Sequence, residues 1–127
     1  MKYFFDNSVS YKFAKVLRAL DVDAVALREE YPQGIKDIPL FQALRGRDLV
    51  YVTTDKAQLT REHEARALKQ AGVTSLFFGR FFQRMRFWDQ AVWIVRRWPR
   101  IDGFASGVAP GTCAEIKQNG TALVYPF

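Results

Sequence analysis

The sequence predicts an α/β fold, with a mostly parallel central sheet flanked by helices and a β-hairpin at the C-terminus. Three observations carry that expectation. Short apolar runs alternate with amphipathic ones as far as Phe78, the rhythm of strand–helix–strand units. The stretch "FFQRMRFWDQAVWIVRRW" then keeps helical periodicity from Phe81 to Trp98. Last, "TCAEIKQNGTALVYPF" is two short alternating runs joined at Asn119-Gly120, a dipeptide suited to tight hairpin turns.

Lys2 to Phe5 reads as a first strand that stops on Asp6. Val9, Phe13, Val16 and Leu20 recur at helical spacing and predict one buried face. Lys12, Lys15 and Arg18 fall on its wet side, and Ser8 or Ser10 can cap its start. "DAVALR" is a second strand, apolar enough to be covered on both faces. "EEYPQGIKD" is a loop punctuated by Pro32 and Gly34, and Asp37 reads as the N-cap of a helix running through Leu44. "DLVYVTT" is the third strand, delivering Asp55 at its end. Thr60 opens a helix that Gly72 closes, and "VTSLFF" is the fourth strand.

In the late helix, Phe81, Met85, Trp88, Val92 and Val95 form one predicted core row, with Phe87, Ala91, Ile94 and Trp98 beside it. Arg86, Gln90, Trp93 and Arg97 form a predicted wet row. Trp93 is therefore either an interface anchor or a side chain that the hairpin covers.

At 127 residues, 49% hydrophobic and 25% charged, the chain reads as one globular domain, residues 1–127, and not as a disordered polymer. Its single cysteine, Cys113, excludes an internal disulfide and a cysteine-based zinc site. No apolar run approaches the roughly 18 residues of a membrane span, and no signal-type apolar region opens the chain. A soluble, cytoplasmic protein is expected. The net charge of +6 favours a polyanionic partner, nucleic acid or an acidic protein. Arg80, Arg84, Arg86, Arg96, Arg97 and Arg100 give the late helix a basic face.

Asp6 and Asp55 both end strands, and Asp37 opens a helix; ligands of such folds gather outside the carboxyl ends of strands. Taken singly, each aspartate also suits a turn or a helix cap, and Glu64 suits a solvated surface. Together they repel, since unit charges about 5 Å apart at an effective dielectric near ~20 cost on the order of 3 kcal/mol. A hard divalent cation resolves such a conflict and can activate water at a phosphodiester. His63, the only histidine, has no cysteine or histidine companions, and no glycine-rich phosphate loop is present.

The order "FFDNSVSYKFAKVLRAL", "GIKDIPL" and "LVYVTTDK" resembles the PIN-like nucleases. "TTDKAQLTREHEARALKQAGV", then "VRRWPRI" and a short hairpin, is similar to the PIN-like domain of certain VapC-type toxins. The resemblance covers nearly the whole chain and implies a three-layer PIN-like fold. It implies Asp6, Asp37 and Asp55 as catalytic, metal-holding acids, with Glu64 a fourth ligand for Mg²⁺ or Mn²⁺. Thr54, Lys56 and Arg61 become candidate substrate contacts, while Thr53 and Thr54 either position Asp55 or touch phosphate. The implied activity is endoribonuclease cleavage leaving a 5′-phosphate and a 3′-hydroxyl, with RNA as substrate and a cognate antitoxin as partner. A homodimer is compatible with the same resemblance. Two departures thin the negative charge: Asn7 stands where many relatives have Glu, and Ile38-Pro39 follow Asp37 where relatives have further acids. A catalytically weak or inactive module that binds RNA or protein is the alternative reading.

Overall fold

A computed structural model describes residues 1–125; Pro126 and Phe127, the end of the expected hairpin segment, lie outside the described residues. Six strands form one sheet: β1 (Lys2–Phe5), β2 (Ala24–Ala26), β3 (Leu49–Thr53), β4 (Thr74–Phe78), β5 (Cys113–Ile116) and β6 (Ala122–Val124). Their order across the sheet is β2-β1-β3-β4-β5-β6. The first five are parallel to their neighbours, and β6 pairs antiparallel with β5. The helices are α1 (Tyr11–Ala19), α2 (Leu27–Glu30), α3 (Asp37–Leu44), α4 (Glu62–Ala71), α5 (Arg80–Arg84) and α6 (Phe87–Gly107). The expected α/β architecture and the hairpin at Asn119-Gly120 are both present, with Gly120 at the positive φ of 86° that the turn requires.

Alternation along the strands builds two cores. Tyr3, Phe5, Val50, Val52, Leu76 and Phe78 face one side, where Phe13 and Leu17 of α1 and Trp93, Ile94, Trp98 and Ile101 of α6 cover them. Phe4, Tyr51, Phe77 and Cys113 face the other, against Leu40, Phe41 and Leu44 of α3 and Leu68 and Ala71 of α4. The result is helix, sheet, helix. Each fully buried aliphatic or aromatic side chain in these layers contributes roughly 1.5–3 kcal/mol.

Several elements differ from expectation, each for a physical reason. The buried face of α1 is Phe13, Ala14 and Leu17, with Val9 just ahead of it, while Val16 and Leu20 are exposed. Ser10, not Ser8, supplies the cap, accepting from the Lys12 N–H, and Lys12, Lys15 and Arg18 are exposed as expected. The second strand is three residues long because Leu27 already turns into α2. Asp37 is the first helical residue, and Lys36 precedes it as N-cap without a side-chain bond. A 3-10 turn over Lys56–Leu59 intervenes before α4, so Thr60 closes that turn and Arg61 leads into the helix.

The late helix is two helices. The chain leaves helical geometry at Met85, and the buried face of α6 matches expectation only in part: Ile94 and Trp98 are buried as expected, whereas Phe87, Trp88, Val92 and Val95 are exposed. Trp93, placed in the wet row by unbroken periodicity, is 7% exposed; Trp88, placed in the core row, is 80% exposed. Trp93 lies against Phe78, Phe81 and Phe82, and its indole N–H donates to the Gln118 carbonyl at 2.8 Å. Of the two readings of Trp93, cover by the hairpin connection is the observed one. α6 also continues through Pro99 to Gly107, because burial of Trp98, Ile101 and Ala105 outweighs the one backbone donor that proline lacks.

Candidate functional site

The register that builds the sheet also assembles its carboxyl edge. Phe4 pairs with Tyr51 and Phe5 with Val52, so Asp6 leaves β1 alongside Thr53. Strand alternation gives Asp6, Tyr51 and Thr53 the same face. Thr53 donates its hydroxyl to Asp6 Oδ2 at 2.6 Å, and Tyr51 donates to the same oxygen at 3.1 Å. Asp6 Oδ1 accepts from the Ser8 N–H at 3.0 Å and from the Ser8 hydroxyl. Asp6 is 8% exposed. Burial pushes its carboxyl above the usual range, opposed by the donors on Ser8, Thr53 and Tyr51. Burial first, and then the charges of Asp6 and Asp37, push the Tyr51 phenol well above its ordinary value.

Thr53 joins two of the expected acids. Its Oγ1 accepts from the Asp55 N–H at 3.0 Å while its proton goes to Asp6. Asp55 caps the 3-10 turn, Oδ1 accepting from the Ala57 N–H at 3.2 Å, and its Oδ2 lies 3.8 Å from Arg61. Arg61 also donates to both Glu64 oxygens at 3.3 and 3.0 Å. Glu64, then Asp55 and Asp37, hold this guanidinium cationic. Asp37 and Glu64 line one depression of about 490 Å³, opposite each other on α3 and α4.

All four acids thus lie on the α3–α4 side of one sheet edge, but they are not gathered around a point. Among the described residues no group of three His, Cys, Asp or Glu side chains is placed to hold a metal ion. Arg61 supplies the positive charge between Asp55 and Glu64.

A larger cavity of about 790 Å³ opens beside Asp55, with Ser8, Thr54, Lys56, Arg80, Gln83 and Glu115 in its wall. Thr54 accepts from Gln83 at 3.1 Å, and its backbone N–H donates to the Ser8 hydroxyl at 2.8 Å. Lys56 is bonded to Glu115 at 3.0 Å and sits over the Tyr125 ring, while Tyr125 donates its own hydroxyl to Glu115. Gly79 makes room here, since a Cβ at that position would meet Glu115 Oε2 at 3.1 Å. Sequence reasoning missed Tyr51, Ser8, Gln83 and Glu115. Tyr51 shares Asp6's parity in a paired strand, a legible signal; Glu115 and Gln83 arrive from β5 and α5 and carry no local sign. His63 is exposed and plays no part.

Comparison with known proteins decides the family. A family model described as a PIN like domain matches residues 1–80. The chain belongs to the PIN-like domain family. No curated protein and no solved structure matches the chain. In this PIN-like domain the matched span holds β1 through β4, and with them Asp6, Asp37, Asp55 and Glu64. Glu115 and α6 lie beyond it. No helix among the described residues is long and apolar enough to cross a membrane.

Proposed function

We propose that this PIN-like domain is a metal-dependent endoribonuclease, the cytoplasmic toxin of a VapBC-type pair. One observation carries the reading: the adjacent strands β1 and β3 bring Asp6 and Asp55 to the carboxyl edge of a parallel sheet, where the Thr53 hydroxyl donates to the Asp6 carboxylate and accepts from the Asp55 backbone N–H. The donor chemistry fits a hard divalent ion, since every candidate ligand is a carboxylate oxygen. Asp6 is also a buried carboxylate with no cationic partner among the described residues, a position that favours added positive charge.

Asp6, Asp37 and Asp55 would hold Mg²⁺ or Mn²⁺, with Glu64 as a fourth ligand. When bound, such an ion supplies an acidified water and neutralises charge on the phosphodiester. Thr53, Ser8 and Tyr51 fix the direction of the Asp6 carboxylate. Thr54, Lys56 and Arg61 meet the RNA backbone, Lys56 exchanging Glu115 for phosphate and Arg61 exchanging Glu64. The proposed antitoxin covers this edge or blocks RNA entry.

One observation favours the rival, a PIN-like module that binds RNA or protein without cleaving. Arg61 already balances Asp55 and Glu64, so the edge is partly neutral without an ion. RNA cleavage with Mn²⁺, with chelator, and by Asp55→Asn decides between them. The nuclease predicts cleavage lost to chelator and lowered about 100-fold or more in the variant. Cleavage that persists in a folded Asp55→Asn protein would refute it. Salt-sensitive RNA binding without calorimetric Mn²⁺ binding establishes the rival.

A further inference from the structure

Beyond the carboxylate edge, the geometry points to a second binding surface: a basic strip, running from the Asp55 cavity along α5 to the start of α6, that stacks an unpaired nucleobase on Trp88. The inference rests on RNA being the polyanion proposed above, and it names where and how a single strand is held.

Trp88 is 80% exposed and Phe87, beside it, 46%, whereas Trp93 and Trp98 are buried. Large exposed aromatics on a soluble surface call for an explanation. Phe87 is anchored from behind: its ring stacks on Phe13 with centroids 5.0 Å apart, and the Lys12 ammonium lies 5.8 Å from its centre. The platform is therefore held to α1 and is not a loose tip. Between Arg80 and Arg100 the chain has six arginines and one acid, Asp89. Among the described residues, Arg80, Arg84 and Arg86 enter no ion pair, while Arg18, Arg47, Arg61 and Arg66 each do.

Connection to the site makes this more than a sticky patch. Arg80 and Gln83 line the cavity that holds Asp55 and Lys56. Arg84 and Arg86 follow, and then Phe87 and Trp88. α1 leaves the same sheet edge just after Asp6 and brings Lys12 to Phe87. Guanidinium groups without ion pairs, followed along the chain by exposed aromatic faces, suit a single strand, whose phosphates the cations follow and whose bases can stack; a duplex keeps its bases hidden. The rings, more than the charge, argue against an acidic helix as occupant, because the electron-rich face of Trp88 repels carboxylates while every base offers it a π-face to stack on.

The test is binding of a single-stranded RNA oligonucleotide, in chelator to suppress cleavage, followed by intrinsic fluorescence and by anisotropy of a labelled strand. Binding is expected to quench the exposed Trp88, and Trp88→Ala is expected to weaken single-strand affinity about tenfold. Trp88→Phe retains most of the affinity while losing the quenching, which separates stacking from misfolding. A duplex of the same length binds more weakly, with no Trp88 signal. Unchanged affinity in Trp88→Ala, or equal quenching by duplex and single strand, overturns the proposal; so does loss of self-association or of protein binding in Trp88→Ala with RNA affinity intact. Repeating the titration in Asp55→Asn keeps the two readings apart. Binding through Trp88 without Asp55-dependent cleavage removes the nuclease and leaves the strip, and cleavage without any contribution from Trp88 does the reverse.

Discussion

At the residue scale, the edge is organised around hydroxyls as much as around acids. Asp6 is buried and still accepts from Ser8, Thr53 and Tyr51, so its carboxylate is oriented before any ligand arrives. The Tyr51 hydroxyl, whose proton goes to Asp6, also accepts from the buried Gln58 side-chain amide at 3.2 Å. Tyr51→Phe removes the hydroxyl that serves both and leaves polar groups short of a partner. Its expected cost is about 1–2 kcal/mol, read as a lower urea midpoint at unchanged slope. Asp6, Asp37 and Asp55 were legible as candidates because each stands at an element boundary in a short sequence pattern. Their spacing in space was not legible, nor was the Arg61 bridge, since both depend on how α3 and α4 sit over the sheet.

Among the elements, α6 and the hairpin show what periodicity can and cannot reveal. The strand–helix alternation, the Gly72 stop and the Asn119-Gly120 turn follow from local chemistry and stand in the structure as read. The break at Met85 does not, because nothing in "RMRF" forbids a continuous helix. Phe81 and Phe82 instead bury against Trp93, Phe78 and Phe13, a set of contacts that two helices reach and one straight helix does not. Trp93 is the pivot of that arrangement and the tie to Gln118. Trp93→Ala is expected to cost about 3–5 kcal/mol of stability by denaturant unfolding. Trp93→Phe, which keeps most of the ring contacts and loses the N–H bond, should cost roughly 1 kcal/mol.

Over the whole molecule, charge is distributed unevenly: ion pairs tie down the α1–β2–α2 corner, while Arg80, Arg84 and Arg86 enter no ion pair among the described residues. Arg18 grips Glu29 at 2.9 and 2.8 Å and also donates to the Ala24 carbonyl, linking α1 to β2 and α2. The Arg18 hydrogen bond holds Glu29 below the usual carboxylate range. A depressed acid contributes stability above its ordinary pKa of about 4.3, lost as pH falls through its lower folded value. Arg18→Ala should therefore melt below wild type at neutral pH, and the gap should close as pH drops below about 4. Thermal melts across that range check the sign.

By itself the sequence determined the α/β class, the order of the strands and of the longer helices through β4, and the closing hairpin. All of these are written in spacing and turn chemistry along one stretch of chain. Only the tertiary structure decided which face of α6 is buried, that Thr53 joins Asp6 to Asp55, and that Glu115 and Gln83 wall the adjoining cavity. Such facts depend on register between strands and on the packing angle of whole helices. Those are set by the sum of many burial energies, and no local pattern carries that sum.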